Sequence, residues 1–202
     1  MEPTKFNKAG IYQLSASLPR RGNLCSRWLG RQLLRLAGWR ISGSLPDRRK
    51  LLVLVAPHTS NWDFFFGMSA VLALGLRAHW MGKHTLFRWG AGPILRWLGG
   101  IPVNRTAPHG VIEQVVEKFR AEESFVLGIT PEGTRKKVKQ WKTGFHRIAV
   151  QAELPIVLAF FDYRQRIVGI GPEIFPTADL DGDLTRVRAF YKQWLPCHPE
   201  NF

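Results

Sequence analysis

Short apolar runs rich in leucine and β-branched residues alternate with helical segments along most of the chain. That alternation, more than any other feature, restricts what the chain can fold into. Residues 51–55, 78–82, 101–103, 125–129 and 155–161 have the length and composition of buried strands. Residues 62–76, 111–120 and 144–152 read as the helices between them; in 111–120 the apolar side chains recur with a clear helical period. Residues 86–98 read as a helix broken by Gly90, Gly92 and Pro93. A further strand at 39–42, a turn at 163–165, an antiparallel strand at 167–170 and a final helix at 184–194 complete the reading. Strands alternating with helices predict an α/β fold, a mostly parallel mixed sheet flanked by helices.

The N-terminal part differs in character. Residues 1–22 form an arm containing Gly, Pro and Ser, and 24–39 read as an amphipathic helix. Arg27, Arg31 and Arg35 repeat every four residues, with Leu29, Leu33 and Leu36 roughly opposite and Trp28 and Trp39 at the flanks. Such a helix suits a membrane interface, and it equally suits docking on the domain's own core. From Arg20 to Lys50 there are nine basic residues and one acid, Asp47. The whole chain carries a formal net charge of +14, which points to an anionic partner: nucleic acid, an anionic membrane or a phosphorylated substrate. No apolar run approaches the ~20 residues a spanning helix needs. The first twenty residues are polar, so no secretory leader is expected. Cys25 and Cys197 lie far apart without metal-ligand spacing, which suits free thiols in a reducing compartment.

The stretch most suggestive of chemistry follows the strand at 51–55. Pro57 ends that strand because it lacks an N–H for the ladder. His58 then stands at a strand mouth, Asn61 is the expected N-cap of the next helix, and Asp63 falls in its first turn. A carboxylate on one imidazole nitrogen fixes the tautomer and leaves the other nitrogen to take a proton from a hydroxyl. No serine or cysteine is placed as a covalent nucleophile, so that hydroxyl belongs to a substrate. The competing reading is a helix-capping Asp63 beside a surface His58. Lys83, Arg105 and the segment Glu132, Gly133, Thr134, Arg135 also stand at strand ends, which a parallel sheet gathers on one edge. Arg105 and Arg135 are forked donors suited to phosphate oxygens, and Gly133 allows close backbone approach.

These blocks together resemble the glycerolipid acyltransferase family, which includes glycerol-3-phosphate and 1-acylglycerol-3-phosphate acyltransferases. His58 and Asp63 match its His-x-x-x-x-Asp block. Gly99 to Arg105 resembles the second block, Pro131 to Arg135 the third, and Leu154-Pro155-Ile156-Val157 the fourth. The resemblance implies His58, Asp63 and, as a less certain match, Lys83 as catalytic residues. It implies Arg105, Glu132, Gly133, Thr134 and Arg135 as substrate-binding. It further implies transfer of a fatty acyl group from acyl-CoA or acyl-acyl carrier protein to a lysophosphatidate-like lysophospholipid in phospholipid biosynthesis. Thr130, Asn104 and Lys136 depart from the usual pattern and leave the acceptor open.

On this reading residues 1–45 are an arm and membrane-surface helix, and 46–202 the acyltransferase domain. The expected partners are an anionic membrane surface, a lysophospholipid, an acyl thioester and an acyl carrier protein. The expected place is peripheral, on the cytoplasmic face of the inner membrane. No metal is expected, since His and Cys show no ligand clustering, and no cofactor beyond the co-substrate thioester. Another lipid acceptor is one alternative. A basic nucleic-acid-binding module is the other, although most of the eight tryptophans lie in apolar segments and no nucleic acid is expected.

Overall fold

A computed structural model of the chain describes residues 14–88, 90–103 and 110–202. The elements in order are α1 (Leu24–Leu36), β1 (Arg40–Ser42), β2 (Lys50–Val55), α2 (Asn61–Leu74), β3 (Ala78–Lys83), a 3-10 turn (His84–Phe87), α3 (Gly92–Trp97), β4 (Gly100–Val103), α4 (Val111–Ala121), β5 (Phe125–Ile129), α5 (Gly144–Gln151), β6 (Ile156–Asp162), β7 (Ile167–Ile174) and α6 (Leu180–Tyr191). The expected order of strands and helices is therefore present. Several boundaries moved: α1 ends at Leu36 rather than 39, β7 extends to Ile174 rather than 170, and α6 ends at Tyr191 rather than 194. Helix α2 is capped by Ser60 rather than Asn61, because the Ser60 hydroxyl accepts from Trp62 N–H while Asp63 accepts from Ser60 N–H. Helix α6 begins earlier than the expected 184, capped by the Asp179 side chain, which accepts from Gly182 N–H.

Seven strands form one sheet in the order β1-β7-β6-β2-β5-β3-β4. Strand β2 pairs in parallel with β5 and β6, and β3 pairs in parallel with β5 and β4. Strand β7 is antiparallel to β6, as its short turn requires, and β1 runs with β7. The sheet is thus mixed and mostly parallel, as the sequence implied. Residues 40–42, at the end of the N-terminal segment, are strand β1 of this sheet.

Alternation along the strands sends neighbouring side chains to opposite faces. Leu52, Leu54, Phe125, Leu127, Ile156 and Leu158 pack with α4, α5 and α6. Each such fully buried side chain contributes about 1.5–3 kcal/mol. Tyr191 anchors α6 on this face by donating its hydroxyl to Leu54 O at 2.5 Å. His146 of α5 meets Asp183 of α6 at 2.9 Å. Burial raises the Asp183 carboxyl, but bonds from Thr177, Arg186 and His146 outweigh it and bring the group to about 2.

The other face carries Leu51, Val53, Val126 and Val157 beneath α2 and residues 14–18. Helix α1 packs onto α2 through Gly30 and Leu34. A Cβ at Gly30 would stand 2.5 Å from Ala73 N and 2.6 Å from Ser69 O, so only glycine permits this approach. The arginine stripe is not a free cationic face. Arg27 and Arg31 are half-buried, and the Arg27 guanidinium lies against Gly75 at the end of α2. Leu24, Trp28, Leu29 and Leu36 are exposed instead. Trp39, expected to flank this helix, is buried and stacks on Phe66 with 4.1 Å between centroids.

Candidate active site

Strand β2 delivers Ala56 and Pro57 to the carboxyl edge of the sheet, and the chain turns at once into α2. The turn is built around Asp63, which is 1% exposed. Its Oδ2 accepts N–H groups from Thr59 and Ser60, each at 2.8 Å, and meets His58 Nδ1 at 3.1 Å. Its Oδ1 accepts the Tyr163 hydroxyl at 2.5 Å. An ionised carboxylate only accepts, so His58 Nδ1 carries the hydrogen and Nε2 is left as a proton acceptor. Asp63 thus caps the helix and orients the histidine with the same oxygen, so the two readings of this pair coexist.

Strand β5 ends beside β2 and leads into residues 131–135. Glu132 is buried and its Oε1 accepts His58 N–H at 3.0 Å. Glu132 therefore stands behind the histidine, and its Oε2 has no partner among the described residues. Burial pushes its carboxyl up to about 7, against the pull of its own and His58's backbone N–H groups; nearby Asp63 adds to the rise. Gly133 follows with φ of 63°, and Lys142 packs across it, its Cε 3.0 Å from where a Cβ would stand. Thr134 and Arg135 are exposed, and Lys83 is exposed at the end of β3. Arg105 and Asn104 lie outside the described residues.

His58 and Asp63 open onto a cavity of about 740 Å³. Lys83, Thr134, Arg135 and Lys142 line its polar part. The remainder is largely apolar and follows α2 from Phe64 past Gly67, Met68 and Val71 to Leu74. From Asp63 to Leu74 that is roughly 16 Å at 1.5 Å per residue. Cavities of this size and character are typical of small-molecule sites.

The cavity was not legible in the sequence, because its walls read as ordinary core. Nor was Tyr163, which closes β6; β6 lies next to β2 only through long-range pairing. The one local signal was its place at a strand end.

The family model for acyltransferases matches residues 40–159, more than half of the chain. The chain belongs to the acyltransferase family. His58, Asp63, Lys83, Arg105 and residues 132–135 all fall inside the matched region, and Tyr163 falls just beyond it. Among solved structures the fold is similar to the 1-acyl-sn-glycerophosphate (LPA) acyltransferase PlsC from Thermotoga maritima. The TM-score is 0.63 at 18% identity, over 83% of this chain and 76% of that one. A search of curated proteins finds no match.

The position of Glu132 yields a stability prediction. Its carboxyl titrates near 7 in the folded chain against 4.5 in the ordinary case. The folded state therefore holds the proton more tightly, and stability falls as pH rises from 4.5 to 7. Above 7 the penalty is constant at about 3 kcal/mol. Glu132→Gln keeps an acceptor for His58 N–H and removes the penalty. Denaturant unfolding of both proteins should show the variant gaining on wild type as pH rises to 8. A difference that does not grow with pH counts against this account.

Proposed function

We propose that this acyltransferase moves a fatty acyl group from acyl-CoA or acyl-acyl carrier protein to the free hydroxyl of a lysophosphatidate-like lysophospholipid. The observation that carries the proposal is a held histidine at the junction of a cationic rim and a long apolar cavity. A lysophospholipid has the same division, with a phosphate at one end and a hydrocarbon chain at the other. The 1-acyl-sn-glycerophosphate acyltransferase activity of the structurally similar PlsC adds support for this acceptor class.

In the proposed reaction His58 Nε2 takes the acceptor hydroxyl proton as the oxygen attacks the thioester carbonyl. The developing imidazolium is stabilised by Asp63, and the tetrahedral oxyanion by Lys83 and nearby N–H groups. Collapse expels the thiolate, which takes the proton back from His58. Arg135 and Arg105 are assigned to the acceptor phosphate, with Gly133 and Thr134 shaping the same loop. Glu132 supports His58 from behind. The apolar cavity beneath α2 takes a hydrocarbon chain. No step calls for a metal or a cofactor.

The test is the purified protein with acyl-CoA or acyl-acyl carrier protein against lysophosphatidate and monoacylglycerol. Thiol release and a diacylated product are expected with lysophosphatidate and not with the acceptor lacking phosphate. Failure of every donor with lysophosphatidate would sink this acceptor class.

We also propose peripheral attachment to the cytoplasmic face of the inner membrane, within phospholipid biosynthesis. Leu24, Trp28 and Leu29 present apolar surface on the outward side of α1, with exposed Arg35 alongside. No helix among the described residues is long and apolar enough to cross a membrane. Cys25 and Cys197 are free, as thiols are in a reducing compartment. Replacing Leu24, Trp28 and Leu29 with Ser should abolish flotation with anionic vesicles and leave folding intact, since all three are exposed. Undiminished flotation of the triple variant, or preference of the wild type for DNA over vesicles, would defeat this attachment.

A further inference from the structure

We infer that Tyr163 is a positioning residue for the His58–Asp63 pair: its hydroxyl fixes the carboxylate that holds the histidine. This rests on the proposed role of His58 as the base. The argument begins from the lone pairs of Asp63. Three N–H groups crowd Oδ2: those of Thr59, Ser60 and the His58 ring. The Tyr163 hydroxyl donates to Oδ1 at 2.5 Å. With one donor on the far oxygen and three on the near one, the carboxylate plane is set, and rotation about its terminal bond breaks bonds at both ends.

The tyrosine is itself held firmly. Its ring meets Trp39 edge-on at 4.8 Å and Phe66 at 6.3 Å. Its N–H donates to Leu195 O at 2.9 Å. The turn that follows is closed by the Asp162 carboxylate, which accepts Arg164 N–H at 3.0 Å and the Gln165 side chain at 2.9 Å. Burial and the bond to Asp63 both push the phenol far above its ordinary range, so it stays protonated and can only donate to this carboxylate. The titratable groups around it are Asp63, which accepts its proton, and Cys197 beside it, with His58 and Glu132 beyond Asp63.

Such a donor does two things. It keeps Oδ2 aimed at Nδ1, and it draws charge away from Oδ2. Removing the hydroxyl loosens the aim, which lowers kcat. It also leaves more charge facing the ring, so the imidazolium is held more tightly and the acid limb of the kcat profile moves to higher pH. Binding of substrates does not pass through this bond, so both KM values should hold. A bond to a charged acceptor of this kind corresponds to about a 10-fold effect.

The experiment measures kcat and both KM values against pH for wild type, Tyr163→Phe, His58→Ala and the double variant, using acyl-CoA and lysophosphatidate. Expected for Tyr163→Phe are about 10-fold lower kcat, KM values within about 2-fold, and an acid limb at higher pH. In the His58→Ala background the same change should cost nothing further. Wild-type kcat with an unmoved limb overturns the inference, as does an equal loss in both backgrounds, which would mark a packing effect. Full activity of His58→Ala would instead overturn the assignment of His58 as the base on which this inference rests, so the two failures are distinct. If Tyr163→Phe does not fold, 3-fluorotyrosine at the same position supplies a stronger donor of similar size. Its acid limb should then move to lower pH, and an unmoved limb overturns the inference.

Discussion

Replacing His58 with alanine should lower kcat by about 10²- to 10⁴-fold, the usual contribution of a general base. The expectation rests on where the side chain sits. Its Nδ1 is taken by Asp63, and the ring stands on the wall of the cavity at the end of β2. No other described group on that wall unites a basic nitrogen with a carboxylate orienter. The fold should survive the change. The ring belongs to none of the three buried clusters, and the backbone bond from His58 N–H to Glu132 remains. Asp63 keeps the N–H groups of Thr59 and Ser60 and the Tyr163 hydroxyl, so it is not left unsatisfied. The measurement is kcat at saturating acyl thioester and lysophosphatidate, with thermal unfolding alongside. Full activity would exclude the mechanism as assigned. Lost activity together with lost folding would show that His58 is structural.

What the sequence revealed and concealed divides along physical lines. Strand runs such as 51–55 and 125–129 were legible because a strand buried on both faces must be apolar throughout. Their parallel order followed from the helices between them, and that order alone gathers His58, Lys83 and residues 132–135 on one edge. Helix α6 was placed late because its first turn contains Asp181 and Asp183, which carry no apolar period; the start signal was the cap at Asp179. The Arg stripe of α1 misled for a different reason. Periodicity identifies a face but not which face turns inward. Gly30 decides it, since its lack of a side chain lets α1 approach α2 on the arginine side, leaving Trp28 and Leu29 outside. Glu132 was read as substrate-binding from its block. Only packing shows that its carboxylate faces back onto His58 N–H while Thr134 and Arg135 face out. A loop residue's direction is set by neighbours remote in sequence, and one chain does not disclose it.

Asp63→Asn should cost nearly as much as losing His58, about 10²- to 10⁴-fold in kcat, with His58 still present. An amide offers one acceptor oxygen and one NH₂ where the carboxylate offers two oxygens. If the NH₂ takes the Oδ2 position, it confronts the N–H groups of Thr59 and Ser60, donor against donor, and forces His58 into the wrong tautomer. The oxygen is therefore expected there, with the NH₂ towards Tyr163, whose hydroxyl turns to accept. The tautomer is then kept, but no negative charge meets the imidazolium as it forms. Two consequences separate this variant from a merely damaged fold. The acid limb of kcat should move to lower pH, because an uncharged partner no longer favours the protonated ring. In the His58→Ala background, Asp63→Asn should lower kcat little further, since the carboxylate acts through the histidine. Stability should drop by only about 1–2 kcal/mol, the loss expected when a charge-assisted helix cap becomes a neutral one. Losses that simply multiply in the double variant would mean that Asp63 serves the helix and not the histidine.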